Sequence, residues 1–256
     1  FHVRSTDDGQ TWSRPVEITT AAERFRPEWN WRVIATGPGH GLQLRGGRLI
    51  VPVWLAKADD GAHGNSVVAT LFSDDQGATW RRGEIAVPRK TKDTPGTTEP
   101  MTAQLGDGRV MLIARNRAAP HRKIVTYSPD GATGWSTPRF DDALLEPICM
   151  GGIVRYQHEG QSFILFSNPH NLDVTKGKPE PGKSRARKNV SVKLSRDEAQ
   201  TWPINKLIED GPSMYSDIAV TPSGTILCFY GRGTKPGFAG SGLTLARFNL
   251  EWLEQP

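Results

Sequence analysis

Short runs of alternating or wholly apolar residues recur along the chain, each stopped by a cluster of Gly, Asp, Ser and Thr. Val67–Phe72, Lys123–Tyr127 and Val190–Leu194 are three such runs. Their length and patterning predict strands. Each is followed by a version of one eight-residue phrase. Ser5-Thr6-Asp7-Asp8-Gly9-Gln10-Thr11-Trp12 and Ser73-Asp74-Asp75-Gln76-Gly77-Ala78-Thr79-Trp80 fit S-x-D-x-G-x-T-W at every fixed position. Ser195-Arg196-Asp197-Glu198-Ala199-Gln200-Thr201-Trp202 lacks only the glycine, and Ser128-Pro129-Asp130-Gly131-Ala132-Thr133-Gly134-Trp135 keeps the serine, aspartate and tryptophan.

Each phrase reads as a hairpin turn. The aspartate can accept hydrogen bonds from its own turn, the glycine supplies a left-handed position, and the tryptophan is expected to cover the turn and pack between sheets. Long, unequal periods with one signature turn apiece predict a β-propeller, one four-stranded blade per repeat. The competing reading is four unrelated turns in an all-β sandwich. The first phrase starts four residues from Phe1, with barely one strand ahead of it. That predicts a chain opening in the middle of a blade.

Composition narrows the picture. At 256 residues, with 27 Gly and 19 Pro, the chain suits a single large all-β domain over residues 1–256. No apolar run approaches the length of a membrane-spanning helix. A net charge of +5 and pI near 9.3 favour an anionic partner. The most basic stretch, Lys176–Lys188, is interrupted by Gly and Pro and lacks interleaved aromatics, so it reads as a solvated loop and not as a nucleic-acid site. Cys149 and Cys228 lie in apolar surroundings and read as buried strand residues, with no disulfide framework indicated. No zinc-type His/Cys cluster and no phosphate-cradling glycine loop appears.

Two hairpins carry candidate chemistry. Glu99 and Arg115 are placed symmetrically about Asp107 in the turn Gly106-Asp107-Gly108, so they are expected to face each other across antiparallel strands. Taken alone, that is equally an ordinary cross-strand salt bridge, worth little on a surface. Tyr215 is symmetric with Gly231 about Ser223. Taken alone, it is an aromatic capping a strand with its hydroxyl in water.

The phrases between the repeats resemble those of bacterial-type sialidases (neuraminidases), whose repeats are Asp-boxes. Thr36-Gly37-Pro38-Gly39-His40-Gly41-Leu42-Gln43-Leu44, followed by Gly47–Pro52, is similar to the family's GPG-x-GIQL segment and the strand after it. Thr98-Glu99 through Ala114-Arg115 resembles its NE…DGR…R hairpin, and Glu146-Pro147-Ile148-Cys149-Met150-Gly151-Gly152 its P-x-C-x-G-S strand. Ser167-Asn168-Pro169 with Arg187–Val192 resembles SNP…R-x-NLTV, and Gly211–Asp217 resembles GPSxYSDL. Leu243–Leu253 is similar to the family's last strand.

This resemblance implies a six-bladed β-propeller of the sialidase type, with the first blade and most of the second missing from this chain. It implies an exo-α-sialidase, a glycoside hydrolase that removes terminal sialic acid with retention. Tyr215 matches the family's nucleophile and Glu99 the carboxylate that draws off its proton. Arg115 and Arg187 match two of three arginines that grip the sugar carboxylate, with Arg185 a neighbouring candidate for the third position. No metal or organic cofactor is implied. The implied partners are sialylated glycans on glycoproteins, glycolipids and oligosaccharides, substrates that suit a secreted or periplasmic protein.

Three departures stand beside the resemblance. The family's first arginine and its aspartate acid/base belong to the first blade and match no residue here. Gly231 stands where the family has a glutamate after the tyrosine's partner strand. Gly152 replaces a serine and Met150 a polar residue, which points to an altered leaving-group side. A non-catalytic glycan-binding propeller and a glycosidase for another acidic ulosonic sugar therefore remain as alternatives. The 256 residues by themselves are expected to be unstable and inactive.

Overall fold

Each repeated phrase closes on itself through its aspartate. In the phrase at Ser73, Asp75 Oδ1 accepts from Thr79 N at 2.8 Å, Oδ2 accepts from Thr79 Oγ1 at 2.6 Å, and Ser73 Oγ donates to Oδ1 at 2.8 Å. The phrases at Ser5 and Ser195 repeat these bonds. Asp7 and Asp75 are held at a pKa of about 2, chiefly by the hydroxyl and then the backbone of the following threonine.

A computed structural model describes residues 1–59, 61–89, 93–174, 180, 182–233 and 240–255. Residues 176–179 and 181 of the basic stretch lie outside the described residues. The first sheet runs in the order β1 (Val33–Thr36), β3 (Leu49–Ala58), β4 (Gly61–Ser73), β5 (Arg81–Val87), with the short β2 (Leu42–Gln43) also paired to β3. The second contains β6 (Thr98–Gln104), β7 (Val110–Arg115), β8 (Arg122–Ser128) and β9 (Arg139–Leu145). The third contains β10 (Gly152–His158), β11 (Gln161–Pro169), β12 (Val190–Ser195) and β13 (Ile204–Leu207). The fourth contains β14 (Ser213–Val220), β15 (Ile226–Gly233) and β16 (Gly240–Phe248). All neighbouring strands are antiparallel.

The core lies between successive sheets. Leu112, Ala114 and Ile124 of the second sheet pack on Trp54 and Val68 of the first. Met101 and Ile113 meet Ile153 and Phe166 of the third, and Leu165 and Val192 meet Ile218 and Cys228 of the fourth. Among the described residues, four sheets packed face to face in succession, first on second, second on third and third on fourth, form a propeller arrangement and not a two-sheet sandwich. Phrases two to four join β4 to β5, β8 to β9 and β12 to β13, so each sits between the third and fourth strands of its sheet. The first lies inside the loop bridged by His2 and Val16.

The tryptophans of the phrases differ in burial. Trp202 is 9% exposed and meets Phe166 edge-on, whereas Trp12 is 61% exposed. Among the described residues, two short helices interrupt the strands. Helix α1 (Thr19–Glu23) buries Ala21 and Ala22 on the first sheet. Helix α2 (Leu250–Glu254) corrects the reading of Leu243–Leu253 as one strand. β16 stops at Phe248 because Asn249 caps the helix, accepting from Trp252 N at 3.0 Å, and Leu250 and Leu253 turn into the core. Cys228 lies on β15 as expected, but Cys149 is in the loop before β10; both thiols are free and buried.

The first strands β6, β10 and β14 neighbour one another in turn, with β2 and β3 against β6. Glu99, Gly152 and Tyr215 sit at or near the starts of these strands. The repeated phrases close the opposite end.

Candidate active site

Glu99 is placed by an irregularity in its hairpin. Thr98 pairs with Arg115 and Pro100 with Ala114, leaving Glu99 as the extra residue of a bulge, with φ of 48°. The expected direct pairing of Glu99 with Arg115 is therefore corrected by one residue. A left-handed backbone on a non-glycine residue costs on the order of 1–3 kcal/mol and recurs where a bulge re-aims a side chain. Here it turns the Glu99 side chain, 2% exposed, back toward the end of β7. Arg115 Nη1 donates to Glu99 Oε1 at 2.5 Å.

Tyr215 sits in a second bulge. Ser213 pairs with Arg232 and Ser216 with Tyr230, so Met214 and Tyr215 together oppose Gly231. The bulge carries the tyrosine to Glu99, to whose Oε1 its hydroxyl donates at 2.5 Å. Arg115 Nη1 also donates to Tyr215 Oη, at 2.9 Å. Burial pushes the phenol's pKa up, the Glu99 charge and hydrogen bond push it further, and Arg115 pulls the other way. Desolvation opposes the charge on Arg115, but Glu99 outweighs it and the guanidinium is held more firmly protonated than usual.

Arg187 completes the group. Its guanidinium carbon lies 5.3 Å from the centre of the Tyr215 ring, and Nη2 donates to Ile148 O at 2.5 Å. Arg185 turns elsewhere, donating to Lys183 O and Glu180 O in its own loop. The structure thus brings Glu99, Arg115, Arg187 and Tyr215 together and leaves Arg185 out. Within the described part of the basic stretch, Lys188 pairs with Asp173 at 2.7 Å.

The floor beneath Arg187 is built from the Glu146–Gly152 phrase, but the part that Lys123 plays in it has no signal in the sequence. Ile148, β-branched yet at φ of 60°, presents the carbonyl that Arg187 uses. Its loop is pinned by a buried ion pair: Lys123 Nζ donates to Glu146 Oε2 at 2.9 Å and to Cys149 O at 2.5 Å. Glu146 accepts in turn from Cys149 N and Asn116 N. Burial pushes the Cys149 thiol up to about 11, so it stays protonated behind the site. Met150 is buried in the cluster that packs on Tyr215. His63 is a further neighbour, with Nδ1 4.0 Å from Glu99 Oε1.

Gly152 has a packing reason. A β-carbon there would fall 2.8 Å from Asp217 Cα and 3.0 Å from Ile218 N, so β10 and β14 approach too closely for a serine. The site end offers two arginines converging on a phenol whose proton points at a carboxylate. That set can hold a planar anion and generate an oxygen nucleophile. Among the described residues, no cluster of three or more His, Cys, Asp or Glu could hold a metal ion, and no helix is long and apolar enough to cross a membrane.

The model of the BNR repeat-like domain matches residues 1–228. The sialidase of Micromonospora viridifaciens is 31% identical over 97% of this chain and 35% of its own length. Sialidase-2 of Mus musculus is 30% identical over 84% of this chain and 55% of its own. Among solved structures, the Hadza microbial sialidase Hz136 superimposes with a TM-score of 0.76 at 26% identity, covering 98% of this chain and 44% of that one. The intramolecular trans-sialidase from Ruminococcus gnavus shares the fold at a TM-score of 0.73 and 21% identity, covering 98% of this chain and 50% of that one. The chain spans between about a third and about three fifths of the curated relatives it matches. It belongs to the BNR repeat-like domain family, and the relatives it matches are sialidases.

Proposed function

We propose that the protein carrying this chain is a retaining exo-α-sialidase that releases terminal sialic acid from glycoconjugates through a tyrosyl-glycosyl intermediate. The observation that carries this reading is the closed triangle of Arg115 Nη1, Glu99 Oε1 and Tyr215 Oη, with edges of 2.5, 2.5 and 2.9 Å. Sialic acid bears a carboxylate on its anomeric carbon, which repels a carboxylate nucleophile. A tyrosine avoids that repulsion, provided its proton can leave.

Glu99 Oε1 takes the proton from Tyr215 Oη, and Arg115 Nη1, already in contact with both atoms, stabilises the phenolate. Arg187 over the ring adds positive charge on the same side. Arg115 and Arg187 also hold the sugar carboxylate, with its anomeric carbon toward Tyr215 Oη. The phenolate attacks that carbon and the aglycone oxygen departs. Water then cleaves the tyrosyl bond, and two inversions give net retention. The group that protonates the leaving oxygen is not assigned to a residue of this chain. No metal or organic cofactor enters these steps.

The test is release of sugar from a fluorogenic α-sialoside by the full-length protein. Tyr215→Phe removes the nucleophile and is expected to lower kcat by at least about 10³-fold. A well-folded protein that binds sialosides without releasing sugar, or that turns over normally with phenylalanine at position 215, overturns the proposal.

A further inference from the structure

The proton that leaves Tyr215 needs somewhere to go besides back. Glu99 Oε1 already accepts from both Arg115 and Tyr215, while Glu99 Oε2 is buried without a hydrogen-bond partner. Once the proton is on Oε1, its default acceptor is the phenolate it came from, and that hydrogen bond draws electron density from the attacking oxygen and lowers its nucleophilicity. A second acceptor for the carboxyl proton relieves the phenolate of that bond.

His63 sits where such an acceptor is required. It lies near the start of β4, at the same end of its sheet as Glu99, with Nδ1 4.0 Å from Glu99 Oε1. That nitrogen is buried and has no hydrogen-bond partner. The ring stacks on Trp54, with centroids 5.6 Å apart and planes 24° apart, and Trp54 is fixed by its own bond to Ala62 O at 3.0 Å. Among the described residues, the charges that act on His63 are those of Arg115 from β7, Glu99 from β6, Arg117 just beyond β7 and Arg187 from the segment before β12. Burial, and then the Arg115 charge, hold the imidazole below its ordinary pKa, so it is neutral at neutral pH and can accept at Nδ1 with its proton on Nε2.

We propose that His63 is a positioning residue for Glu99, whose Nδ1 accepts the hydrogen bond of the carboxyl group formed when Tyr215 passes its proton across. This rests on the sialidase reading above. The O–H bond of Tyr215 breaks, one forms on Glu99 Oε1, and the pair of electrons stays on the phenolate under Arg115 Nη1. A closing movement of about 1 Å brings His63 into hydrogen-bond range of Oε1 and turns the carboxyl proton off the phenolate. An imidazolium does the reverse. It donates to the Glu99 carboxylate, holds it ionised and suppresses the transfer. Protonation of His63 therefore inhibits, below the ordinary imidazole range.

The experiment compares kcat and KM against pH for the full-length wild type, His63→Phe, His63→Gln and Tyr215→Phe on a fluorogenic α-sialoside, with thermal unfolding of each. His63→Phe is expected to lower kcat about tenfold with KM little changed. His63→Gln, whose amide oxygen can accept, is expected to recover most of the loss and to erase the His63 contribution to the acid limb. If His63→Phe does not fold, the Gln variant carries the test through the acid limb alone. Wild-type kcat and acid limb in both variants, or a rise in KM with kcat unchanged, overturns the role of His63 while leaving the tyrosine reading intact. Failure of the wild type to turn over, or normal turnover by Tyr215→Phe, is failure of the underlying reading instead.

Discussion

Gly231 lies against the Met214 side chain so closely that a β-carbon on the glycine would fall 2.5 Å from Met214 Cγ and 3.2 Å from Sδ. The bulge on β14 pushes Met214 into the space that a side chain at 231 would need. Gly231→Ala is therefore expected to cost on the order of 1–3 kcal/mol, with Met214→Ala in the same chain recovering much of it. A double-mutant cycle by urea unfolding measures the coupling, and additive effects would refute it.

Gly152 presents the harder obstacle, because its near neighbours are the backbone of Asp217 and Ile218 and not the end of a side chain. Gly152→Ser should separate β10 from β14 and cost about 3 kcal/mol. Since β14 carries Tyr215, loss of kcat should accompany the loss of stability. A serine variant with unchanged unfolding midpoint contradicts this packing.

Lys123→Met tests the floor. The Lys123 and Glu146 side chains are 1% and 0% exposed, and removing one partner of a buried pair costs about 3–5 kcal/mol. It also frees the loop whose Ile148 carbonyl holds Arg187. KM for an anionic glycoside should rise more than kcat falls, and the reverse pattern would show that Arg187 is held by other means.

The phrase aspartates give the stability a pH signature. Asp7 and Asp75 fall from the ordinary 3.8 to about 2 in the folded chain, so the unfolded chain binds more protons between those values. Their contribution is present above about pH 4 and is lost as pH falls toward 2. Urea midpoints measured across this window should drop, and Asp75→Asn should flatten part of the slope. An unchanged slope in that variant would show that its turn does not titrate with folding.

The repeated turns are readable from sequence because their bonds are local. A serine, an aspartate and a threonine spaced two and four residues apart satisfy one another wherever the chain lies, and strands must flank them. The all-β class, the hairpins of β6–β7 and β14–β15, and the company of Glu99, Arg115 and Tyr215 follow from symmetry about short turns and from the phrases that carry the resemblance. The exact pairing does not. Both hairpins carry a bulge, and the left-handed backbone at Glu99 has no local signature in a glutamate. The end of β16 escapes the sequence pattern because Asn249 caps a helix whose Leu250 and Leu253 find a core that only packing supplies. His63 beside Glu99, Lys123 beneath Cys149 and Met214 against Gly231 depend on which sheets lie side by side and how far each strand is shifted. Those relationships arise from contacts between sheets, where shape and desolvation decide, so they belong to the tertiary structure alone.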